Sequence, residues 1–337
     1  MVAVARSRKV RPADVAADTK RNFIPLAKSK LGQQYPPNSI LYTEPWRQLP
    51  IGRQITTRAP YFSIEEGDPV MMAIECGNRD SDVSAAQGGS RVRVPFICAV
   101  NEKEPGGDWD TASSGYEEQL CRRSNFVATL QTPCSSTRRS SNYPIPSVGA
   151  ILSDNVLVCR GPPDGYAKLD NWYDLPVVSI APVRRPKLKD NGSTFSFTEE
   201  YEDIWKKMRG ALCVCLHHGY DRIVIGDFGL GRSHRNPPQV LAEMWRDLFL
   251  FDPEIRGQFS YVVFCFEDAA QSTHRIILDD MAKSDKRRSK SSREPSHPTS
   301  GYDVADIDIF QHTFSPAEIQ RVISQPDPRY GLHMITS

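Results

Sequence analysis

The run VRVPFICAVNEKEPGGDWDTASSGYEE, residues 92–118, decides how this chain is read. Residues 92–100 form an apolar run with two β-branched valines at its start, which predicts a buried strand. The strand ends in a polar loop carrying Gly106 and Gly107. Paired glycines let bare backbone N–H groups approach a phosphate or sugar, because no Cβ stands in the way. Two adjacent carboxylates, Glu117 and Glu118, follow within or at the start of a helix predicted over 114–127. An anion or sugar cradle beside a carboxyl pair points to chemistry on a phosphorylated sugar.

A second glycine loop lies further along. The strand at 222–226 runs into Gly226-Asp227-Phe228-Gly229-Leu230-Gly231 and on through Arg232, Ser233, His234, Arg235 and Asn236 to a helix over 238–251. Its spacing is G-x-x-G-x-G, not the G-x-G-x-x-G of dinucleotide-binding domains, and it comes late in the chain. The physical reading is a second anion site, with backbone amides aided by the partial positive charge of a helix N-terminus.

Around these loops, helical spacing covers 11–32 and 198–218, the second with Gly219 as its stop. Strands are expected at 70–75, 150–159, 176–181 and 261–266, with a turn at GPPDGY between 150–159 and 176–181. Residues 33–68 read as a long Pro-rich connection and 77–90 as a loop. Strands alternating with helices predict an α/β fold with a mostly parallel sheet covered on both faces. Residues 283–300 are basic and Ser-rich, predicting a disordered linker with KRRSK as a candidate nuclear address. One helix is expected in the tail, capped by Ser315 with Pro316 at its first position.

Composition narrows the classes. The chain has 337 residues, with 42 Lys plus Arg against 41 Asp plus Glu. Bulk charge therefore gives no reason to expect a nucleic-acid or membrane partner, and no apolar segment has the length of a membrane span. The N-terminus is basic but lacks the apolar core of a secretory signal, and the eight scattered cysteines sit mostly in apolar runs. Reduced cysteines in a nuclear or cytoplasmic, non-secreted monomer are the expectation. Cys213, Cys215, His217 and His218 fall in a helical pattern where i and i+2 point apart, so no metal is expected there.

The first motif resembles the microbial-type poly(ADP-ribose) glycohydrolases, whose signature is N-x-x-x-P-G-G-G, a variable stretch, then Q-E-E-x-L-C-R. Asn101 through Asp108 and Tyr116 through Arg122 match it, with Asp108 in place of the third glycine and Tyr116 in place of the glutamine. The family's later glycine loop resembles residues 226–237, and further echoes lie near 17–19, 143–160 and 262–264. The resemblance covers about residues 11–270.

The resemblance implies a macrodomain-like three-layer α/β/α fold with a mixed central sheet and an N-terminal helical accessory segment. It divides the chain into 1–68 (accessory), 69–282 (core), 283–304 (linker) and 305–337 (tail). ADP-ribose, poly(ADP-ribose) or ADP-ribosylated protein is the implied partner, with no metal or redox cofactor. By the same resemblance Glu118 is the general acid and base, and Glu117 binds neighbouring ribose hydroxyls. Asn101, Gly106 and Gly107 meet the terminal ribose, with Asp108 and Tyr116 flanking it. Gly226, Phe228, Gly229, Leu230, Gly231, Arg232, Ser233, His234, Arg235 and Asn236 belong to the ligand loop, of which 229–235 wrap the diphosphate. Phe264 or Phe266 packs on adenine, or else belongs to the core. A non-catalytic ADP-ribose reader is the alternative, favoured by Asp108 and Tyr116.

Overall fold

A computed structural model describes residues 10–52, 58–288 and 304–324. In chain order the elements are α1 Pro12–Asp18, α2 Ile24–Leu31, β1 Ile40–Tyr42, α3 Pro45–Gln48, β2 Tyr61–Glu66, α4 Pro69–Ala86, β3 Phe96–Ala99, α5 Tyr116–Arg123, α6 Phe126–Gln131, β4 Ala150–Arg160 and β5 Lys168–Ile180. They continue as β6 Leu188–Lys189, β7 Thr194–Phe195, α7 Thr198–His217, β8 Arg222–Ile225, α8 Gly231–His234, α9 Pro238–Phe251, β9 Tyr261–Phe266, α10 Thr273–Arg288, α11 Asp306–Thr313 and α12 Pro316–Ser324. Among the described residues no helix is long and apolar enough to cross a membrane.

The chain separates into two interleaved compact units. The first comprises 1–52, 68–182 and 206–228, and the second 53–67, 183–205 and 229–337. Strands of the first unit lie in the order β1-β4-β5-β3-β8. The β1–β4 and β4–β5 pairings are antiparallel, whereas β3 runs parallel to both β5 and β8. Within this unit the sheet is therefore mixed, with antiparallel pairings on the β1 side and parallel ones around β3. Residues 161–167 close the β4–β5 hairpin, with Gly161 N–H donating to the Ala167 carbonyl at 2.8 Å. Ile97, Cys98, Val177, Val178 and Ile223 lie at 0–1% exposure, so the strands that carry the first glycine loop are held by a dry core.

In the second unit β2 pairs in parallel with β9. Phe264 and Phe266 of β9 pack against Phe310 of α11, with centroids 5.1 Å apart in both pairs. The described residues of the tail thus contribute two helices where the sequence predicted one. Ser315 does cap the second, its Oγ accepting from Glu318 N–H at 3.3 Å.

Four other expectations change. Residues 70–75, read as a strand, and most of 77–90, read as a loop, form α4. Burial of Val70, Ala73, Ile74 and Gly77 follows i, i+3, i+4, i+7, and Asp68 caps the helix by accepting from Met71 N–H at 2.7 Å. The expected helix over 114–127 breaks at Ser124, which is extended, and Asn125, whose Oδ1 accepts from Leu157 N–H at 2.7 Å. The Pro-rich connection contains β1 and β2. Finally, α10 continues to Arg288, where the linker was expected from 283, while 289–303 of that linker lie outside the described residues.

Candidate active site

The chemistry gathers where β3 ends, in the first unit. Asn101 opens the loop, and its Oδ1 accepts from Lys103 N–H at 2.8 Å and Glu104 N–H at 3.2 Å, turning the chain tightly. The loop then reaches Gly106 (φ 84°) and Gly107 (φ 50°), both in the left-handed region. Space demands glycine there as much as the dihedrals do. A Cβ on Gly106 would lie 2.9 Å from Trp109 Cδ1 and 3.3 Å from Cys121 Sγ, and one on Gly107 would lie 2.9 Å from Glu118 Oε1. Asp108, in the third-glycine position, projects an exposed side chain from the loop.

Helix α5 brings the carboxylates to this loop. Gly115 stands at its N-cap, and Glu117 and Glu118 lie in its first turn, where the helix dipole favours negative charge. Glu117 is 2% exposed. Its Oε2 accepts from Asn101 N–H at 2.6 Å and its Oε1 from Gly106 N–H at 2.8 Å, so both oxygens brace the loop's backbone. Burial pushes the Glu117 carboxyl up to about 8; the two amide donors work against that rise, and the Glu118 charge adds to it. Such bracing was not foreseen from the sequence, which gave Glu117 to ribose hydroxyls.

Glu118 is placed differently. It is half-buried, and among the described residues its carboxylate accepts no hydrogen bond. It lies against Gly107 and Gly115, where a Cβ on either would run into its oxygens. One carboxylate is thus spent on structure, while its neighbour faces the loop unencumbered.

Several groups that the sequence reading did not single out complete this wall. Arg122, 1% exposed, donates to the Trp109 carbonyl at 2.8 Å and the Thr111 carbonyl at 3.1 Å, pinning the loop from behind. Arg123 pairs with Asp68 at 2.5 Å, tying α5 to the cap of α4. Arg122 stood in the motif, but nothing in the motif shows that its guanidinium holds carbonyls. The Tyr143 hydroxyl is buried with no hydrogen-bond partner among the described residues. Burial, followed by the Glu117 charge, disfavours its ionisation. The same causes keep Cys98 and Cys121 as thiols, since burial pushes both up.

Tyr116 packs edge-on to Phe96 with centroids 6.3 Å apart, and a Cβ on Gly226 would sit 3.5 Å from both rings. Gly226 and Phe228 therefore belong to the first unit, with Phe228 4% exposed.

Residues 229–236 belong to the second unit. Gly229 (φ 78°) leaves room for Asn236, whose Nδ2 donates to the Gly229 carbonyl at 2.7 Å and the Val183 carbonyl at 2.9 Å. Gly231 N–H donates to Thr273 Oγ1 at 2.7 Å, and that hydroxyl donates to Asp306 Oδ2 at 2.6 Å. The loop leads into α8, a single turn, and not directly into the long helix expected. Leu230 is buried, Arg232 and Ser233 are exposed, and His234 and Arg235 lie between. Phe264 and Phe266 are 0% and 1% exposed, walled in by Trp245, Phe310 and Phe314. Neither ring presents a face to adenine; of the two readings, core packing is the one realised.

Residues 35–161 match the family described as microbial-type PARG, catalytic domain. That range contains the β3 loop and α5 and ends before the second glycine loop. No curated protein sequence matches the chain. Among solved structures, the poly(ADP-ribose) glycohydrolase (PARG) from Thermomonospora curvata is similar at a TM-score of 0.52 and 20% identity, covering 80% of this chain and 98% of that one. A PARG from Deinococcus radiodurans in complex with ADP-ribose is similar at a TM-score of 0.50 and 18% identity, covering 78% and 98%. At such identities the likeness is one of fold: a macrodomain-like α/β fold with a mixed sheet.

Proposed function

We propose, from the premise that residues 35–161 carry the microbial-type PARG catalytic domain, that this chain is an ADP-ribosyl glycohydrolase. Its substrate is poly(ADP-ribose) or ADP-ribosylated protein, and Glu118 is its acid and base. One observation carries the reading. Two adjacent carboxylates on α5 have opposite environments, Glu117 tied to two backbone amides and Glu118 free against Gly107. Pairs of titratable groups held in divergent environments are how acid–base roles are divided.

The steps follow. Protonated Glu118 gives its proton to the ribosyl oxygen that leaves the anomeric carbon, and that C–O bond breaks. The carbon passes through an oxocarbenium-like state. Glu118, now a carboxylate, takes a proton from water as the water oxygen bonds to the carbon, which restores the acid and releases a free hemiacetal. Gly106 and Gly107 let the ribose approach the backbone, and Glu117 holds that backbone still.

Removal of the proton donor tests this. Glu118→Gln should lower ADP-ribose release by at least about a hundredfold, in line with the usual worth of a general acid. Calorimetric affinity for ADP-ribose should be retained. The measurement is incubation with both poly- and mono-ADP-ribosylated protein, with products identified by mass. Binding of ADP-ribose by the unaltered chain without release from either substrate would overturn the enzyme in favour of a reader.

A further inference from the structure

The chain as a whole is almost neutral, at a formal net charge of +1, yet the second unit concentrates cations in one place. Arg185 N–H donates to the His234 carbonyl at 2.6 Å, which fastens the segment holding Arg184 and Arg185 to the glycine loop holding Arg232 and Arg235. Arg185 (φ 51°) and Arg235 (φ 59°) both take left-handed backbone conformations, so the chain turns sharply at each of these positions. Arg235 donates through Nε to the Arg232 carbonyl at 3.1 Å and pairs with Asp280.

The other three guanidinia are different. Arg184, Arg185 and Arg232 are all exposed, and among the described residues none of them has an acidic partner. Their proximity is felt: after burial, which is the larger cause in both, Arg185 and Arg232 disfavour the charge on Arg235, and Arg184 disfavours it on His234. Like charges gathered without counter-ions raise the energy of the free protein, and a polyanion relieves it. Guanidinium is the side chain suited to this, since its fork meets phosphate oxygens in pairs.

We infer that Arg184 and Arg185, fastened beside the 229–235 loop, form a docking surface for the phosphates of an ADP-ribose polymer, beyond the one ADP-ribose unit on which chemistry occurs. This rests on the proposed function for the choice of polyanion. Each repeat of that polymer carries a diphosphate, so a run of exposed guanidinia matches a run of doubly charged groups. The surface would favour long polymer over single ADP-ribosyl modifications.

The experiment measures equilibrium binding of size-fractionated poly(ADP-ribose), by anisotropy, to the full chain carrying Glu118→Gln so that the polymer stays intact. Adding Arg184→Gln and Arg185→Gln together should weaken polymer binding by at least about tenfold and flatten its dependence on salt. Affinity for monomeric ADP-ribose should change less than about twofold, since Arg184 and Arg185 lie outside the 229–235 loop given to its diphosphate. A control chain with Lys28→Gln and Lys30→Gln lowers net charge equally and should bind as before; circular dichroism checks that both variants fold.

Unchanged polymer affinity in the arginine variant overturns the surface. So does a parallel loss for monomer, which would place the arginines in the single-unit site. Equal competition by single-stranded DNA of matched charge would make it a nucleic-acid surface and overturn the commitment to this polymer. Because binding is read without turnover, failure of the unaltered chain to hydrolyse polymer sinks the enzymatic reading without deciding this one.

Discussion

Gly107 concentrates two constraints in one residue. Its φ of 50° is a conformation that costs a side-chain-bearing residue about 1–2 kcal/mol, and the atom such a residue adds would sit 2.9 Å from Glu118 Oε1. Gly107→Ala should therefore cost about 1–2 kcal/mol of stability and at least about tenfold in release rate, because the displaced group is the proposed acid. Gly88→Ala is the internal control. With φ of 72° and nothing within 4 Å of its Cβ, it should show the strain in a thermal melt and none of the loss in activity. Glu117→Gln is expected to fail for another reason. A side-chain amide must turn its NH₂ toward either Asn101 N–H or Gly106 N–H, leaving a buried donor facing a donor at about 1–3 kcal/mol. Melting temperature and release should fall together, whereas in Glu118→Gln only release should fall.

At the scale of elements, α8 contains a pH-sensitive position. Burial, followed by the Arg184 charge, pushes His234 down to about 4, against a hydrogen bond with the Leu230 backbone that favours its charged form. An unfolded histidine titrates near 6.5. Between those values the unfolded chain takes up a proton that the folded chain does not, so stability is lost as pH falls from about 6.5 toward 4. The melting temperature of the unaltered chain should drop more between pH 7 and pH 5 than that of His234→Gln; equal drops would rule out His234 as the source.

Elements also show what was legible in the sequence. The glycine pair and the carboxylate pair could be read because a positive-φ turn and acid–base work each demand particular residue types. Residue type could not separate their roles: the resemblance alone assigned acid–base work to Glu118, and it did not show that Glu117 braces the backbone of 101–106. Residues 70–75 were misread because a short apolar run fits a strand or a buried helix turn equally. The Asp68-Pro69 cap was the signal that could have decided it. Phe264 and Phe266 were offered to adenine because the ring that covers both, Phe310, lies more than forty positions later, beyond reach of any local pattern.

Across the whole molecule, that late covering makes residues 304–324 part of the core rather than an appendage. Ile307, Phe310, Phe314, Ile319 and Val322 are each 3–9% exposed. Phe314 packs at a tilt on Phe264 and Phe62, with centroids 4.6 and 4.7 Å away, closing the face of both β2 and β9. Asp306 adds a polar lock, its carboxylate accepting from Thr273 N–H, Thr273 Oγ1 and Gln271 Nε2 at 2.6–3.0 Å. Burying a large apolar side chain is worth about 1.5–3 kcal/mol, so the five together contribute about 7 kcal/mol or more. That rivals the entire stability of an ordinary domain, about 5–15 kcal/mol. A chain ended at residue 303 should therefore expose the aromatic faces of β2 and β9, bind a hydrophobic dye and lose hydrogen-exchange protection throughout α9 and β9. If those amides instead stay protected and the melting temperature holds within about 2 °C, the aromatic cluster does not depend on the tail and this account of the second unit is wrong.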